Sequence, residues 1–414
     1  MFSRSIADTL AVAAAGFCTV GVRRALDSFR SDLPNSPRNW EGGGCQSWDD
    51  AAMVNGMACH ALDFDDLDPV SSAHLGSVLV PALLATEALV EEDALLEAVK
   101  AGYGVAAKLA GWLGPDHYRR GWHATSTIGS LAAFAALARL KGLSREAFGH
   151  GIGLTVAQAG GMQANFGSMA KALHAGFAAA AALRAIRLAE CGVTGGHDFL
   201  SHDNWRLNFG QAPDKLADDT APSVKHRALV KLYPCCFAAH RAVAAAAAVR
   251  PSLQRHILNP ETHFILTLPP SARRVLRFSS PTSALEAAFS AEYCCALMLV
   301  SGKLDIADFD EAFPNASALD VASRITVETG HEPQSGGGIE SGPARFAALV
   351  PGAPPLIHDQ PDMPKADDPL SFDGEVKAKI AACLHRFEEK SGREFPALNL
   401  VRRWPTVAAW LPTK

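Results

Sequence analysis

The chain has no excess of basic charge, no long uninterrupted apolar run and no C-x-x-C pair, and each absence excludes a class of protein. Its 38 Lys and Arg residues against 43 Asp and Glu residues leave a net charge of -5, so nucleic acid is not an expected partner. Gly, Ser and Arg interrupt the apolar stretch 128–140, which is shorter than the ~20 residues that cross a bilayer, so a membrane is not an expected partner either. The nine cysteines favour free thiols in a reducing compartment. Without a signal-peptide pattern, the sequence predicts a cytoplasmic protein.

The length and the composition indicate a folded chain of two domains. The 414 residues exceed what one hydrophobic core usually accommodates, and 48% are hydrophobic. Small and aliphatic residues recur at helical spacing up to about residue 230, whereas short β-branched runs begin near residue 257. The sequence therefore predicts a mainly α protein, with a large all-helical domain at 1–230, a smaller α/β domain at 231–365 and C-terminal helices at 366–414 that return to the helical domain.

Individual elements follow from the same patterns. Helices are expected at 47–61, 91–113, 126–141, 144–160, 169–191 and 371–387. Strands are expected at 263–268, 274–278 and 324–329. Gly-rich 335–343 and Pro- and Asp-rich 351–369 are typical of loops.

The densest group of polar side chains follows the third predicted helix. Four carboxylates and two imidazoles lie within fifteen residues: His60, Asp63, Asp65, Asp66, Asp68 and His74. Acidic residues at the C-terminal end of a helix oppose its dipole, and such a local cost is usually retained for function. A solvated acidic loop and a metal site are the alternatives, although no recognised metal-ligand spacing is present.

Three further polar points interrupt apolar segments. Thr125 and Ser126 precede a strongly apolar helix, where their hydroxyls are expected to cap the helix and its free N–H groups to receive a carboxylate beside His123. Lys171 and His174 lie one turn apart on the same side of another helix, where the lysine faces either solvent or a substrate carboxylate. The third point, Lys231 to Cys236 followed by His240 and Arg241, marks the domain junction, where clefts form preferentially.

Taken in order, these segments resemble the MmgE/PrpD family, which includes 2-methylcitrate dehydratase, cis-aconitate decarboxylase and iminodisuccinate epimerase. The resemblance spans residues 5 to about 387 and is carried by these segments: 54–66, His74, 121–127, 167–176, 231–235 and 289–293. It implies a large helical domain built from both ends of the chain, an α/β lid, a cleft between them and a homodimer. The chain departs from the family pattern at Leu67, where many members have Thr, at Leu75, where they have Pro, and at its N-terminus, where a helix is expected to be missing.

The resemblance also implies the site residues and a cofactor-free reaction. Family positions correspond to Asp63, His74, His123, Lys171 and Tyr293, and either Cys236 or His240 takes the place of a lid histidine. His74 and His123 are then the expected acid/base residues, and Asp63 is expected to orient an imidazole or to accept the proton itself. Lys171 is expected to clamp a carboxylate or to act as a base. Tyr118 and Tyr293 are reserve acids. Thr125, Ser126, His174, Cys236 and His240 are the expected substrate-binding residues.

These residues predict an enzyme that moves a proton or CO₂ beside a carboxylate of a small polycarboxylate. A 2-methylcitrate dehydratase-like hydro-lyase is the first expectation, with an iminodisuccinate-type epimerase or a cis-aconitate-type decarboxylase as alternatives. Outside this class stand a metal-dependent hydrolase and a non-catalytic binding protein.

Overall fold

The structure is a computed structural model that describes residues 2–85, 90–196, 207–210, 228–331, 342–361 and 369–412. The first part of the chain is helical. Its helices are α1 (Phe2–Gly16), α2 (Val20–Phe29), α3 (Trp48–His60), α4 (Gly76–Leu84), α5 (Glu92–Arg119), α6 (Ala124–Lys141), α7 (Arg145–Val156) and α8 (Met169–Glu190). Local signals set several ends: the Ser47 hydroxyl accepts a hydrogen bond from the Asp50 N–H at the start of α3, and Gly142 ends α6 in the left-handed conformation.

Close packing of α3 on α8 positions the two ends of the later site. A Cβ atom on Gly56 of α3 would lie 2.9 Å from the Cα atom of Gly176 on α8, and a Cβ atom on Gly176 would lie 2.2 Å from the Met53 carbonyl oxygen. Only glycine permits backbones to approach this closely. The C-terminal end of α3 is thereby held beside the first turns of α8.

The second part, residues 228–361, contains a mixed four-stranded sheet and is called the α/β segment below. The helices are α9 (His240–Leu253), α10 (Pro270–Val275), α11 (Ala284–Ala287), α12 (Ala291–Ser301) and α13 (Ala316–Ser323), and the strands are β1 (His263–Leu268), β2 (Ile325–Thr329), β3 (Ala344–Leu349) and β4 (Leu356–Gln360). The strand order is β2-β1-β3-β4, with β1 parallel to β2 and antiparallel to β3. Helix α9 packs against β3 and β4 and gives this segment a hydrophobic core of its own.

The last helices return to the first. They are α14 (Pro369–Ser391), α15 (Leu398–Val401) and α16 (Pro405–Ala408), and α14 packs along α1. The Lys379 ammonium on α14 lies 2.7 Å from a carboxylate oxygen of Asp8 on α1 and donates to the Phe64 carbonyl oxygen at 2.6 Å. All three residues are buried, so Lys379 links α1 to the loop that follows α3 inside the protein.

By length and composition, α8 is apolar enough to cross a membrane, as is the bent pair α1 and α2 taken together. In α8, 72% of the qualifying window is buried inside the protein. Core helices commonly have this composition, because apolar residues on every face are what full burial requires.

The prediction of a mainly α-helical chain with a smaller α/β part is confirmed. The predicted strand at 274–278 is wrong, because Pro270 at the start of α10 places residues 270–275 in a helix. The expected loop at 351–369 contains β4 and the start of α14. Most of the predicted Gly-rich loop at 335–343 lies outside the described residues.

Candidate functional site

The loop that follows α3, residues 61–75, carries the acidic cluster and is called the acid loop. All four of its aspartates are buried, with Asp63 5% exposed and Asp65, Asp66 and Asp68 0% exposed. Buried carboxylates require partners that offset the lost hydration. The alternative of a solvated acidic loop is therefore wrong.

Asp63 is held by two lysines. Its Oδ1 atom accepts hydrogen bonds from Lys171 Nζ at 2.8 Å and from Lys231 Nζ at 2.7 Å, and its carbonyl oxygen accepts a second bond from Lys231 at 2.7 Å. Its φ angle of 47° is in the left-handed region, which costs a non-glycine residue of the order of 1–3 kcal/mol. Burial would raise the pKa of Asp63, but the two ammonium groups outweigh burial and hold this pKa well below its usual range.

The two lysines differ in their surroundings. Burial lowers the pKa of Lys171, and the nearby Lys231 charge adds to this effect, although Asp63 opposes it. Burial also acts on Lys231, but Asp63 and Asp65 outweigh it and raise the pKa of Lys231. Lys171 is therefore the more acidic ammonium of the pair.

Asp65 bridges two histidines. One carboxylate oxygen lies 2.8 Å from His60 Nδ1, and the other lies 3.2 Å from His74 Nδ1 in a less well aligned contact. Burial lowers the pKa of His60 to about 3 and also lowers the pKa of His74. Burial would raise the pKa of Asp65, but the two imidazoles hold it well below the usual value. Both rings are accordingly neutral near pH 7.

A second histidine pair lies beside the first. His123 Nδ1 is 2.9 Å from His174 Nδ1, and the Asn165 side-chain nitrogen is 3.1 Å from His174 Nε2. The His123 ring stacks on His60, with ring centroids 5.6 Å apart. Burial lowers the pKa of His123 well below its usual value and lowers that of His174 to about 4. The four imidazoles form one contiguous group.

Asp66 anchors the acid loop to helices α1, α4 and α5. Its carboxylate accepts hydrogen bonds from the hydroxyls of Ser5 and Tyr103 and from the Gly76 N–H. Burial nevertheless raises the pKa of Asp66 to about 7. A Cβ atom on Gly76 would lie 2.3 Å from Asp66, so only glycine fits at this contact.

A small cavity lies between the acid loop and the α/β segment. Its volume is ≈ 30 Å³, about the share of one water molecule in the liquid. His60, Asp63 and Lys171 line it from the helical side, and Phe289 and Phe309 line it from the α/β side. A larger groove of ≈ 1060 Å³ runs between α14 and the α/β segment, but its described lining includes none of the four clustered histidines.

The structure brings together most of the catalytic residues expected from the sequence. Asp63, His74, His123 and Lys171 lie in the cluster, and His174 joins them through His123. Tyr293 lies apart from it: the ring packs against Phe309 and Phe313, and the hydroxyl accepts a hydrogen bond from the Asn315 N–H.

Three other expected residues are buried or half-buried elsewhere in the described part of the chain. Tyr118 is half-buried near the end of α5 and packs against the α/β core. Cys236 is buried, and its pKa is raised to about 12 by burial and by the nearby Asp63 charge. His240 is buried between Tyr233 and Phe237, with centroid distances of 5.1 and 5.0 Å.

The expected cap at the start of α6 is wrong. His123 is the N-cap residue, and no side chain caps this helix end. Thr125 instead accepts a hydrogen bond from the His74 N–H, and Ser126 is buried in the same turn. The helix start therefore fixes the acid loop at His74.

Sequence reasoning gave no catalytic or binding role to several residues that the structure places in the cluster. Lys231, His60, Asp65 and Asn165 all contact a residue that was named. Lys231 carried a usable signal, since a lysine before Tyr233 and Pro234 interrupts an apolar run. Its contact with Asp63 spans 168 residues, so no local pattern reveals it.

A metal site remains the geometric alternative. Single ligand atoms of His60, Asp63, Asp65 and His74 all lie within 4.8 Å of one another. However, two ammonium groups already contact Asp63 Oδ1, and they would repel a divalent cation on that atom. The arrangement fits an ion-pair network better than a metal centre.

The sequence also matches two protein-family models and several named relatives. The sequence model of the MmgE/PrpD N-terminal domain matches residues 1–210, and that of the MmgE/PrpD C-terminal domain matches residues 233–340. Human cis-aconitate decarboxylase is 28% identical over 298 residues, which are 67% of this chain and 61% of the human protein. Cis-aconitate decarboxylase from Aspergillus terreus is 25% identical over 328 residues, 72% of this chain and 67% of the fungal protein. The chain thus spans about three fifths of the length of the human relative.

Proposed function

Because the chain belongs to the MmgE/PrpD family, we propose that it is a lyase that acts on a small polycarboxylate, with decarboxylation of cis-aconitate or a close analogue as its reaction. The sequence alone favoured dehydration. The names of the human and fungal relatives favour decarboxylation instead.

The observation that carries the proposal is the cluster of Asp63, two lysines and neutral imidazoles beside a cavity between the two parts of the chain. Lys171 lines this cavity, whereas Lys231 is 0% exposed. An ammonium group has three hydrogens, and Lys171 uses one on Asp63. The other two are available to a substrate carboxylate.

The chemistry of decarboxylation fits these groups. The bond between a carbon and its carboxylate breaks, CO₂ leaves, and the electron pair is left on the carbon skeleton, where the double bond of cis-aconitate delocalises it before a new C–H bond forms. Lys171 supplies the proton, because burial makes it the more acidic ammonium, and solvent restores this proton afterwards. Hydrogen-bond donors in a dry cavity stabilise the negative charge that develops before protonation.

Substrate entry requires the α/β segment to act as a lid. A cavity of ≈ 30 Å³ has no room for a polycarboxylate. Two contacts hold it shut: Arg277 donates to the carbonyl oxygens of Ala164 and Phe166 at 3.1 and 3.0 Å, and Phe278 packs on Gly167. Closure over a bound substrate would exclude water from the reacting carbon.

The expected homodimer and cytoplasmic location stay predictions. Apolar side chains on the outer face of α8 support an interface between subunits, since Phe177 is 48% exposed and Leu188 is 41% exposed. Sedimentation velocity at several concentrations tests the dimer, and a monomer at all of them would contradict it.

A substrate panel in D₂O with NMR detection tests the reaction. We expect cis-aconitate to release CO₂ and its product to contain one deuterium on carbon that was taken up from solvent. Lys171→Met should abolish this, whereas Lys141→Met, which changes an exposed lysine paired with Glu190, should not.

Other outcomes of the panel would replace the proposal. An alkene from 2-methylcitrate without CO₂ would assign dehydration, and a deuterated, inverted iminodisuccinate would assign epimerisation. No turnover of any of these compounds would favour the non-catalytic binding protein.

A further inference from the structure

The contact between His123 and His174 restricts where each ring carries its hydrogen. The two Nδ1 atoms are 2.9 Å apart, and both rings are buried. A neutral imidazole carries one hydrogen, so one Nδ1 atom donates and the other accepts. The direction of this bond decides which nitrogen of His123 remains for a ligand.

Asn165 decides the direction. Its side-chain nitrogen lies 3.1 Å from His174 Nε2, and an amide nitrogen only donates. The Nε2 atom of His174 is therefore an acceptor without hydrogen, and the hydrogen of this neutral ring lies on Nδ1. His174 then donates to His123 Nδ1, which leaves the hydrogen of His123 on Nε2. Among the described residues, none accepts a hydrogen bond from this Nε2 atom.

The other two histidines have the opposite arrangement. Asp65 accepts from Nδ1 of His60 and approaches Nδ1 of His74, which places the hydrogens of both rings on Nδ1. Their Nε2 atoms are then free of hydrogen, and that of His60 is buried without a hydrogen-bond partner among the described residues. The cluster thus contains one imidazole that donates through Nε2 and two that accept through it.

We propose that Asn165 and His174 are positioning residues that fix the hydrogen of His123 on Nε2, so that His123 serves as a neutral hydrogen-bond donor to the carboxylate of a substrate. Its role toward substrate rests on the proposed function, whereas its tautomer does not. A neutral imidazole can stabilise a developing negative charge by donation without giving up its proton. His60 and His74 are left as acceptors.

Imidazole nitrogen NMR of protein labelled with ¹⁵N at histidine tests the tautomers directly, with His123→Gln used to assign the signals. In the unchanged protein near pH 7, His123 should show a protonated Nε2 and an unprotonated Nδ1, whereas His60 and His74 should show the reverse. A protonated Nδ1 on His123 would overturn the proposal, whether or not a substrate has been found.

Asn165→Asp should reverse the relay at pH 9, where an imidazole beside a carboxylate is neutral. The carboxylate accepts from His174 Nε2–H, so His174 Nδ1 becomes an acceptor and His123 must donate from Nδ1. Asn399→Asp makes the same change at an exposed position and should leave the signals of His123 unchanged. Unchanged His123 signals in a folded Asn165→Asp protein would also refute the relay.

Kinetics give a second readout once a substrate is known. Removal of one preorganised hydrogen-bond donor typically lowers kcat by about 10²–10³-fold. At pH 9, where the relay is reversed, Asn165→Asp should therefore lower kcat by about 10²-fold with little change in KM, and Asn399→Asp should change neither. An effect on KM alone would show that Asn165 contributes to binding rather than to the orientation of the hydrogen, and would count against the proposal.

Discussion

Replacing Asp63 with Asn removes the carboxylate that lies between Lys171 and Lys231. Both ammonium groups are buried, with Lys171 5% exposed and Lys231 0% exposed, so the change leaves two like charges without a counter-ion. Removing one partner of a buried ion pair costs about 3–5 kcal/mol. We expect Asp63→Asn to lower the free energy of unfolding by at least about 3 kcal/mol at pH 7.

Replacing Lys231 with Met should cost less, although Lys231 is the more deeply buried lysine. Lys171 and Asp63 remain as a neutral pair, and the loss consists of the hydrogen bonds that Lys231 donates to Asp63 Oδ1 and to the carbonyl oxygens of Asp63 and Cys235. An unsatisfied buried acceptor costs about 1–3 kcal/mol. The double variant Asp63→Asn, Lys231→Met should be more stable than Asp63→Asn alone, because one unpaired charge is gone.

The Asp63→Asn effect should also depend on pH. Without Asp63, the folded-state pKa of Lys171 falls further below the ordinary value of ~10.4. At a pH between this lowered pKa and the ordinary value, the folded state therefore binds fewer protons than the unfolded state. The free energy of unfolding of this variant should therefore rise as the pH increases from 7 to 9.

Urea unfolding followed by tryptophan fluorescence and circular dichroism measures these differences. Lys141→Met, at an exposed pair with Glu190, is the matched control and should change stability by no more than about 1 kcal/mol. The reasoning fails if Asp63→Asn costs no more than this control, or if the double variant is less stable than Asp63→Asn.

Three further outcomes are expected. Burial lowers the pKa of His60 to about 3, those of His117 and His174 to about 4, and that of His123 well below its ordinary value. The folded protein therefore binds up to four fewer protons at these rings than the unfolded chain below pH ~6.5, whereas Asp66, whose pKa is raised to about 7, binds one more. The remaining difference of three protons should make the free energy of unfolding fall by about 4 kcal/mol per pH unit as the pH decreases from 6 to 5, and urea midpoints that stay constant there would contradict this. Arg277→Ala should weaken the contacts that hold the lid closed and raise KM, with a smaller effect on kcat. Arg274→Ala, at an exposed neighbouring position, should change neither KM nor kcat. Equal kinetics for the two variants would show that Arg277 does not hold the lid closed. Activity should persist in EDTA, because the ammonium groups of Lys171 and Lys231 already contact Asp63 Oδ1. Loss of activity in EDTA and its rescue by one divalent ion would establish the metal alternative.

The helices that position the site could be predicted from local signals. Ser47 marks the start of α3, and apolar spacing outlines α6 and α8. Two strands escaped prediction: Ala344–Leu349 lacks strict alternation between buried and exposed residues, and Leu356–Gln360 lies in a Pro- and Asp-rich stretch. Their strand state depends on pairing with β1 and with each other, which no local pattern encodes.

The site was predictable only in part, and for a different reason. Asp63, His74, His123 and Lys171 stand in segments whose order resembles the family, so they could be named. Lys231 and Asp65 gain their roles from contacts made in the folded chain. The capping role expected for Thr125 failed because its hydroxyl is taken by the His74 N–H, 51 residues away in sequence.

The contact of Lys379 with Asp8 and the Phe64 carbonyl also bears on the order in which the chain folds during synthesis. Lys379 follows Phe64 by 315 residues and Asp8 by still more, so the acid loop and α1 leave the ribosome long before their partner exists. At roughly 5–20 residues per second, this interval lasts on the order of 15 seconds or longer. During that time Asp8 has no lysine to compensate its charge, and the helical core cannot close around it without burying a lone carboxylate. The nascent helical part should therefore stay open until α14 arrives, so the docking of α14 is the step that commits the site to its geometry.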